Sequence, residues 1–340
     1  SSVAVLDPGD RFGFSLSLFG SSLAVGAPLD DGNENVFDDA GAVYLFSLSD
    51  NLSAPQLQAR LGRGYPLSPD LGIETLSEAD GFGQSVSLFG NRLVVGASGD
   101  DGREGTASDA GAVYLFSFAD SRFGGARQLG TLGADYIPVG GFSLLGKGLE
   151  QQDAFGTAVS LDGNRLVVGA ARDDGADNTL ADAGAVYLFT FDSPGYRDGF
   201  IAEILARGAP NFGSNGGLDI PLSAFDLFGT SVSLNGNRLV VGATGDDGFN
   251  DGAPGSGTVY LFTFETSTFE NMRFRGNIGS GYSRGPAIPV GALEIGDAFG
   301  SAVSLNGNRL AVGAPGDDAF GNALTDSGAV YLFTFGNADF

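Results

Sequence analysis

Aspartate is the residue type in this chain whose spacing could do chemistry, because the same pattern of carboxylates returns five times. One Asp stands two residues before each Phe-Gly pair, and two adjacent Asp follow each Val-Gly-Ala segment. Four copies have another Asp just before the next predicted strand, and the fourth copy offers Asp251 a few residues earlier instead. The set comprises Asp10, Asp30, Asp31, Asp39, Asp80, Asp100, Asp101, Asp109, Asp153, Asp173, Asp174, Asp182, Asp226, Asp246, Asp247, Asp251, Asp297, Asp317, Asp318 and Asp326.

These carboxylates have two interpretations. Two carboxylates about 5 Å apart repel by ~1 kcal/mol in water and by ~3 kcal/mol at an effective dielectric constant of about 20. A Ca²⁺ ion held by Asp oxygens and loop carbonyls would relieve this repulsion, since Ca²⁺ tolerates irregular oxygen geometry. Alternatively, each Asp caps its loop through an Asx-turn and points into water. The sequence leaves both interpretations open, and the Asp before each Phe-Gly pair is the one we expect to be a cap.

Catalysis is not indicated by the residues around these carboxylates. The chain has no His and no Cys, and it lacks a Walker-type loop and a Gly-x-Ser-x-Gly elbow. Paired carboxylates can do general acid–base work. A reactive pair is expected once in a chain, however, whereas these pairs are copied in every repeat. The sequence therefore predicts a protein that is not an enzyme.

The elements that position the aspartates repeat with a period of about 70 residues. Each copy opens with Phe-Gly before a short apolar strand and continues about a dozen residues later with Val-Gly-Ala, which closes a second strand. The Phe residues of the five pairs are Phe12, Phe82, Phe155, Phe228 and Phe299. A Gly-containing tight turn separates the two strands, which is a strong hairpin signal.

Four strands are predicted in each copy, from alternation and from β-branched and aromatic content. In the second copy they are Gln84–Leu88, Leu93–Ala97, Ala110–Phe118 and a weaker strand near Tyr136–Leu145. Fourth strands are expected directly before each later Phe-Gly pair, within Leu71–Ala79, Gly141–Gln152, Leu218–Phe225 and Ala287–Gly296. Strands 2 and 3 are apolar on both faces, so both faces of each sheet must be covered.

The predicted fold class is all-β, a single five-bladed β-propeller over residues 1–340 with four-stranded antiparallel blades. The repeats start near residues 10, 80, 153, 226 and 297. Residues 1–9 are expected to be the closing outer strand of the last blade, which would hide two sheet edges. A β-helix of calcium-binding nonapeptides would have a far shorter period. Because consecutive strands are antiparallel, all the aspartates are expected at one end of the strands.

Composition excludes some partners. The chain has 340 residues, 42% of them hydrophobic, which is enough for a substantial core. It carries 41 acidic against 17 basic residues, a net charge of −24, so nucleic acid is excluded as a partner. The lack of Cys removes disulfides and thiolate metal sites. No apolar run approaches the ~18 residues that suggest a membrane span, so membrane insertion is not expected.

The motifs resemble those of the FG-GAP repeat family, which includes the propellers of integrin α-subunits and many bacterial surface proteins. The matching letters are Phe-Gly, Val-Gly-Ala-Pro (complete at Val25–Pro28 and Val312–Pro315) and Gly-Ala-Val-Tyr-Leu-Phe. The resemblance implies adhesion, ligand binding or a surface scaffold. The calcium loop that many members carry between strands 1 and 2 is missing, because only a short turn such as Phe89–Arg92 stands there.

Two groups of residues are weaker candidates for partner binding. The turns between strands 1 and 2 carry Arg in four copies, with Ser22 in the remaining one: Arg92, Arg165, Arg238 and Arg309. We expect these arginines to be solvated hairpin tips. Alternatively, they ring one face of a disc-shaped molecule, and this face stacks on the acidic face of the next copy. The predicted linkers between strands 3 and 4, at 49–70, 119–136, 192–217 and 265–286, differ between copies and carry aromatics expected to be exposed: Tyr65, Tyr196, Phe212 and Tyr282. Tyr residues in strand 3 are expected to pack between blades.

The sequence therefore predicts a secreted or cell-surface propeller for adhesion or ligand binding, with Ca²⁺ as cofactor if the metal interpretation holds. Its partner would be a protein or glycan ligand on a surface, or copies of itself. One alternative is a structural subunit of a surface layer or filament that assembles by disc stacking. A second alternative is a multivalent lectin.

Overall fold

The computed structural model describes residues 6–49, 55–66, 69–136, 149–175, 178–192, 195–196, 199–208, 218, 220–282, 288–291, 293–318, 324–336 and 340. The strands in chain order are β1 Ser15–Phe19, β2 Ser22–Ala27, β3 Ala42–Ser47, β4 Gln56–Gly62, β5 Leu71–Gly72, β6 Ser85–Phe89, β7 Arg92–Ala97, β8 Ala112–Ser117, β9 Arg127–Gly133, β10 Phe155–Asp162, β11 Arg165–Ala170, β12 Ala185–Thr190, β13 Phe200–Leu205, β14 Phe228–Asn235, β15 Arg238–Ala243, β16 Thr258–Thr263, β17 Arg273–Gly279, β18 Ile288–Pro289, β19 Ala302–Asn306, β20 Arg309–Ala314 and β21 Ala329–Thr334. One 3-10 turn, Phe249–Asp251, lies between β15 and β16. No helix in the described part of the chain is long and apolar enough to cross a membrane.

Each repeat forms one sheet. The sheets are β1–β5, β6–β9, β10–β13, β14–β18 and β19–β21, with neighbours in chain order. Consecutive strands pair antiparallel, apart from the two-residue strands β5 and β18, which pair parallel with β4 and β17. The predicted fold class, an all-β five-bladed β-propeller with antiparallel blades, is confirmed.

The fourth strand of the first four repeats lies earlier than predicted. Strands β4, β9, β13 and β17 fall inside the segments that the sequence predicted as linkers. Of the predicted fourth strands, residues 71–79 contain only β5 and residues 287–296 only β18, and the described parts of the other two contain no strand. Three of the missed strands, β4, β9 and β17, run from exposed first residues to buried last ones, so they lack the apolar pattern on both faces that marks strands 2 and 3.

The predicted closing strand falls largely outside the described residues. Residues 1–5 are among those that the structure does not describe, and residues 6–9 contain no strand. In the fifth repeat, the described residues form the three strands β19, β20 and β21.

The chain divides into two compact units, Ser1–Asn164 with Phe191–Phe200, and Arg165–Thr190 with Ile201–Phe340. In the first unit, successive repeats meet at glycine. A Cβ on Gly26 would overlap the carbonyl oxygen of Gly83, and a Cβ on Gly96 would overlap that of Gly156. The hydroxyl of Ser15 donates to the Gly83 carbonyl at 2.7 Å. The Gly of Val-Gly-Ala is therefore required by the close approach of the next Phe-Gly segment.

The second unit repeats this contact. Cβ atoms on Gly169 and Gly242 would overlap the carbonyl oxygens of Gly229 and Gly300. The hydroxyl of Ser231 donates to the Gly300 carbonyl at 2.6 Å. The two repeated motifs are thus the two halves of one inter-repeat contact.

The Phe of each Phe-Gly pair packs on the strand 3 tyrosine of its own repeat. Phe82 lies edge-on to Tyr114 with ring centroids 5.3 Å apart, and Phe228 lies in the same way on Tyr260 at 5.2 Å. Both tyrosines are buried, as expected for packing residues. Their hydroxyl groups reach the aspartates described next.

Candidate functional site

The candidate site is the set of loops that join strands 2 and 3, called here the strand 2–3 loops. They comprise residues 28–41, 98–111, 171–184, 244–257 and 315–328, of which 176–177 and 319–323 are outside the described part. Each loop begins at a buried Ala that ends strand 2, and each contains a pair of adjacent aspartates.

The first Asp of each pair is buried and holds the loop from inside. In the first repeat, Oδ1 of Asp30 accepts the backbone N–H of Gly32 at 2.9 Å, and Oδ2 accepts the hydroxyl of Tyr44 at 2.6 Å. The same tyrosine bond, 14 residues apart in every copy, recurs in the other repeats at Asp100, Asp173, Asp246 and Asp317. These carboxylates are the inner anchors of the strand 2–3 loops.

The second Asp of each pair is an outer anchor. Oδ1 of Asp31 accepts the backbone N–H of Asp39 at 2.8 Å. The equivalent bonds, also to the residue eight positions later, are made by Asp101, Asp174, Asp247 and Asp318. This bond closes the loop over eight residues and is not an Asx-turn. The predicted Asx-turn geometry, to the N–H two residues on, is made instead by the inner anchors Asp30, Asp100, Asp173 and Asp246.

The Asp just before strand 3 contributes its backbone to this bond. Asp39 has a positive φ of 52°, as do Asp109 (51°), Asp182 (49°) and Asp326 (50°). In the fourth repeat this position is Gly255, with φ of 62°, so the expectation that Asp251 takes the equivalent place was wrong. Asp, Asn and Gly tolerate this left-handed conformation best, which explains the residue types that occur here.

The Asp before each Phe-Gly pair makes the hydrogen bond expected of a cap. Its Oδ2 accepts the backbone N–H three residues earlier, at 2.6–2.7 Å, in Asp10, Asp80, Asp153, Asp226 and Asp297. The carbonyl of Asp80 also accepts the N–H of Gly99, at 3.1 Å. This bond ties the segment before strand 1 to the strand 2–3 loop.

The carboxylates within a repeat raise each other's pKa. Burial, followed by the charge of Asp100, raises the pKa of Asp80 to about 8, although the N–H of Ser77 lowers it. Burial also raises the pKa of Asp226 to about 7, with the charge of Asp246 acting in the same direction. Within the described structure, Oδ1 of Asp80 is buried and accepts no hydrogen bond. At neutral pH, the protonated, uncharged form of Asp80 is therefore favoured.

The described residues do not form a ready metal-ligand set. No group of three or more carboxylates among them lies close enough to hold a metal ion. The oxygens of the inner and outer anchors accept backbone N–H and tyrosine O–H groups, which is the geometry of caps. Calcium at these aspartates therefore remains a proposal that rests on the negative charge of the clusters.

A second tyrosine reaches the inner anchor in three repeats, from just after strand 4. The hydroxyl of Tyr65 lies 3.4 Å from Oδ1 of Asp30, and that of Tyr136 lies 3.0 Å from Oδ2 of Asp100. Tyr282 makes the equivalent contact, at 3.5 Å. Tyr65 is buried, so the expectation that it is exposed was wrong, and Tyr282 is half-buried.

Sequence reasoning missed Tyr136 as a member of this group. The signal was present, since a Leu or Ile followed by Gly-x-x-Tyr occurs at Leu61–Tyr65, Leu132–Tyr136 and Ile278–Tyr282. The third repeat has Ala209 at the equivalent position, outside the described residues. The fourth strand that carries this motif was predicted elsewhere, so its tyrosines could not be placed.

A polar cleft of about 300 Å³ adjoins the inner anchor of the first repeat. Its walls include Asn33, Glu34 and Arg60. Arg60 donates to Oδ2 of Asp70 at 2.6 Å, and its guanidinium lies 4.6 Å from the centre of the Tyr65 ring. The position of Arg60, opposite the strand 3 tyrosine, is occupied by Thr131 in the second repeat and by Asn277 in the fourth. The third repeat has Ile204 there. The repeats thus share an anchor and differ in the residue beside it.

The arginines of the strand 1–2 turns are not a ring of solvated tips. Arg92 is buried, donates to Oδ1 of Asn164 at 3.2 Å and to the Gly163 carbonyl, and stacks over Tyr196 at 5.4 Å. Arg238 is buried and lies 5.1 Å from the Phe340 ring centre.

The two remaining arginines differ in exposure. Arg165 is half-buried and lies over Phe264 at 5.3 Å, whereas Arg309 is exposed. Two of the four arginines are therefore buried and not at solvated tips, while disc stacking stays a prediction.

Of the two remaining aromatic candidates, the structure describes only Tyr196. Tyr196 is completely buried between Phe191, edge-on at 4.9 Å, and Arg92. The expectation that Tyr196 is exposed was therefore wrong. Phe212 lies outside the described residues.

The exposed parts of the strand 2–3 loops are their tips, and these differ from repeat to repeat. The first loop exposes Glu34, Asn35 and Val36, and the fourth exposes Phe249. The second exposes polar residues around Arg103. A shared set of anchors therefore presents different side chains to solvent.

The model of the FG-GAP repeat matches the chain five times, over residues 6–46, 76–116, 144–189, 222–262 and 294–333. These matches cover more than half of the chain and confirm the resemblance. No curated protein matches the chain. Among solved structures, the computationally designed Ika8 protein is 14% identical with a TM-score of 0.40, covering 94% of this chain and 70% of its own. The computationally designed Ika4 protein is 15% identical with a TM-score of 0.36, covering 77% and 96%.

Proposed function

Since the chain belongs to the FG-GAP repeat family, we propose that it is a non-catalytic, secreted or cell-surface propeller for adhesion or ligand binding. The observation that carries the proposal is the contrast within the strand 2–3 loops. Their backbones are held by the same aspartate and tyrosine bonds in every repeat, whereas their exposed tips differ. Recognition residues are found on loops of this kind, which a rigid scaffold positions. FG-GAP repeats are typical of extracellular proteins, which supports the location.

The ligand would be a protein or a glycan that contacts the loop tips. Val36 and Phe249 give exposed apolar contacts, while Glu34, Asn35 and Arg103 give polar ones. This mixture resembles the apolar and polar parts of ordinary protein interfaces. Because the tips differ, we do not expect five equal sites. A multivalent lectin with equal sites is the less favoured function.

The proposal is tested by binding of the purified chain to arrays of glycans and of extracellular proteins. Substitutions at the loop tips, Val36→Ala and Phe249→Ala, are expected to weaken any specific binding while the anchors keep the fold intact. Arg309→Ala, at the exposed strand 1–2 turn of the fifth repeat, is the matched control and is expected to bind as the native chain does. Equal binding by all variants would contradict a ligand site at the loop tips. Binding to neither array at tens of micromolar would contradict adhesion.

Calcium dependence is a separate part of the proposal. It is supported by the high density of aspartates at the strand 2–3 loops and by the repulsion from Asp100 that contributes to the raised pKa of Asp80. A cation that binds the folded state alone raises its stability in proportion to the logarithm of cation concentration. We therefore expect millimolar Ca²⁺, but not Mg²⁺, to raise the thermal midpoint of EDTA-treated protein by many degrees. An unchanged midpoint would leave the aspartates as loop caps alone.

A further inference from the structure

The hairpin between β16 and β17 forms a polar cleft of about 410 Å³, called here the β16–β17 cleft. It lies at the opposite end of the fourth sheet from the strand 2–3 loop, because β16 begins at that loop and ends at this hairpin. Strand β14 of the same sheet packs against β11 of the third repeat and β19 of the fifth, and these strands belong to one compact unit. The cleft and the strands that flank its repeat are therefore parts of the same unit.

Hydrogen bonds hold the polar side chains around the cleft. Nε of Arg275 donates to the hydroxyl oxygen of Thr263 at 2.6 Å. The side-chain amide of Asn271 donates to Oε2 of Glu265 at 2.9 Å, and that of Asn237 donates to the backbone carbonyl of Glu265 at 3.3 Å. A site whose groups are already oriented loses less conformational entropy when a ligand binds.

The backbone of the hairpin is also fixed. The N–H of Glu265 donates to the carbonyl of Glu270 at 2.9 Å. Phe264 and Phe269 pack on each other with ring centroids 4.8 Å apart, and the guanidinium of Arg165 lies 5.3 and 5.8 Å from the two ring centres. Both rings are buried. The cleft is therefore built on a packed hairpin and not on a free loop.

The fold does not require the polar groups of the cleft. The second repeat has the same hairpin, in which the N–H of Ala119 donates to the carbonyl of Gly124 at 2.7 Å. Its strand 4 pairs with strand 3 in the same register, with Arg127 at the position of Arg273. Three polar residues of the cleft have no polar counterpart there, since the equivalents of Glu265, Asn271 and Arg275 are Ala119, Gly125 and Leu129. These three side chains are therefore candidates for a function of the fourth repeat.

The cleft carries positive charge in an acidic chain. Arg273 and Arg275 line it together with one acidic residue, Glu265. Nη2 of Arg273 lies 3.9 Å from Oε1 of Glu265, and both side chains are more than half exposed, so this ion pair is weak. The aspartates of the fourth strand 2–3 loop lie at the other end of six-residue strands, ~20 Å away. At 0.15 M salt the screening length is about 8 Å, so these aspartates repel an anion in the cleft only weakly.

We propose that the β16–β17 cleft binds one uronate residue of an acidic glycan. Arginine recognises a carboxylate through paired N–H groups, and the ligand carboxylate would take the place of Glu265 beside Arg273. The amide groups of Asn237 and Asn271 both donate and accept hydrogen bonds, as sugar hydroxyls do. The volume is near the lower end of the range for small-molecule sites, about 300–1,000 Å³. The aromatic wall is limited to Phe264, which is buried, so the cleft offers a peptide little apolar contact.

The test is an NMR titration of the full chain with D-glucuronate and D-galacturonate, with D-glucose and D-galactose as neutral counterparts at the same ionic strength. At least one uronate is expected to bind about tenfold more tightly than its neutral counterpart. Arg273→Gln is expected to weaken this binding about tenfold, through loss of a charge-assisted hydrogen bond. Arg127→Gln removes the same charge from the equivalent exposed position of the second repeat. It is the matched control and is expected to bind as the native chain does.

Two further variants test the other walls of the cleft. Asn271 has a positive φ of 52°, so Asn271→Gly keeps the backbone conformation, removes the amide and is expected to weaken binding severalfold. Glu265→Gln keeps an acceptor for Asn271 and removes the carboxylate that competes with the ligand. It is therefore expected to strengthen uronate binding severalfold.

Three results would overturn the proposal: no uronate binding at tens of millimolar, equal binding of the neutral sugars, or equal weakening by Arg127→Gln and Arg273→Gln. A short peptide of aspartates that binds more tightly than either uronate, and loses this binding in Arg273→Gln, would assign the cleft to an acidic protein and would also overturn it. The cleft lies at the opposite end of the sheet from the loop tips, so Val36→Ala and Phe249→Ala are expected to leave uronate binding unchanged. The result here is therefore separate from that of the loop-tip test.

Discussion

Removal of the Asp80 carboxylate is expected to change how stability depends on pH. Burial and the charge of Asp100 raise the pKa of this carboxyl from 3.8 to about 8 in the folded chain. Between these two values, the folded state binds a proton that the unfolded state does not. The free energy of unfolding therefore falls as pH rises, by ~1.4 kcal/mol per unit, and levels off above pH 8.

The variant Asp80→Asn has no proton to lose at this position. Its amide oxygen can accept the N–H of Ser77, while its amide nitrogen replaces the oxygen that accepts no hydrogen bond within the described structure. That unpaired donor costs about 1–3 kcal/mol at every pH. Relative to the native chain, the variant is expected to gain up to ~4 kcal/mol between pH 5 and pH 8, because the native chain loses ~1.4 kcal/mol per unit there.

Urea unfolding in EDTA at several pH values from 5 to 9 measures this difference. Asp226→Asn is a second test site: the pKa there is about 7, so its gain is expected to level off one pH unit lower. Asp109→Asn removes the same charge from an exposed position of the second repeat and controls for net charge. The difference in the free energy of unfolding between the native chain and Asp80→Asn could instead stay constant from pH 5 to pH 8. That result would show that Asp80 binds no proton in this range and would refute the raised pKa.

Two further predictions compare equivalent positions that differ in their neighbours. Gly96→Ala places a Cβ on the carbonyl of Gly156 and is expected to lower the free energy of unfolding by about 3 kcal/mol or more, while Gly313→Ala, where the Cβ has space, is expected to change it little. Equal effects of the two in urea unfolding would contradict the close contact between repeats. Arg92→Ala removes a buried guanidinium with two hydrogen-bond acceptors and two aromatic neighbours and is expected to cost about 2 kcal/mol, whereas Arg309→Ala is expected to cost less than about 0.5 kcal/mol. An unchanged thermal midpoint in Arg92→Ala would contradict a stabilising role of these Arg92 contacts.

Strands 1 to 3 of each repeat could be predicted because their signals are local. Strand 1 alternates, strand 2 is a short apolar run, and the Gly-containing turn between them leaves one pairing register. Strand 4 could not be located, since segments such as Arg127–Gly133 mix polar residues and Gly and become buried only at their ends. Their pairing depends on strand 3 already being in place, so no local pattern specifies them.

The candidate site was predicted in position but not in detail. Antiparallel order is sufficient to bring Asp80, Asp100 and Asp101 to the same end of a sheet. Whether each carboxylate meets a cation or a backbone N–H depends on the path of the loop. The bond from the N–H of Asp109 to Asp101, eight residues earlier, exists because the loop turns at a positive φ, which the sequence indicates only through the residue types tolerated there.

The sequence by itself determined the repeat, its sheet and the end of the sheet where the aspartates gather, because these follow from local periodicity and strand order. Only the tertiary structure decided which side chains are buried. The segments Gly90–Leu93 and Gly307–Leu310 have identical letters, yet Arg92 is buried and Arg309 is exposed. Leu88 is buried and the equivalent Leu18 is exposed for the same reason. Burial of a sheet face depends on whether another repeat covers it, and that neighbour is about 70 residues away in the sequence.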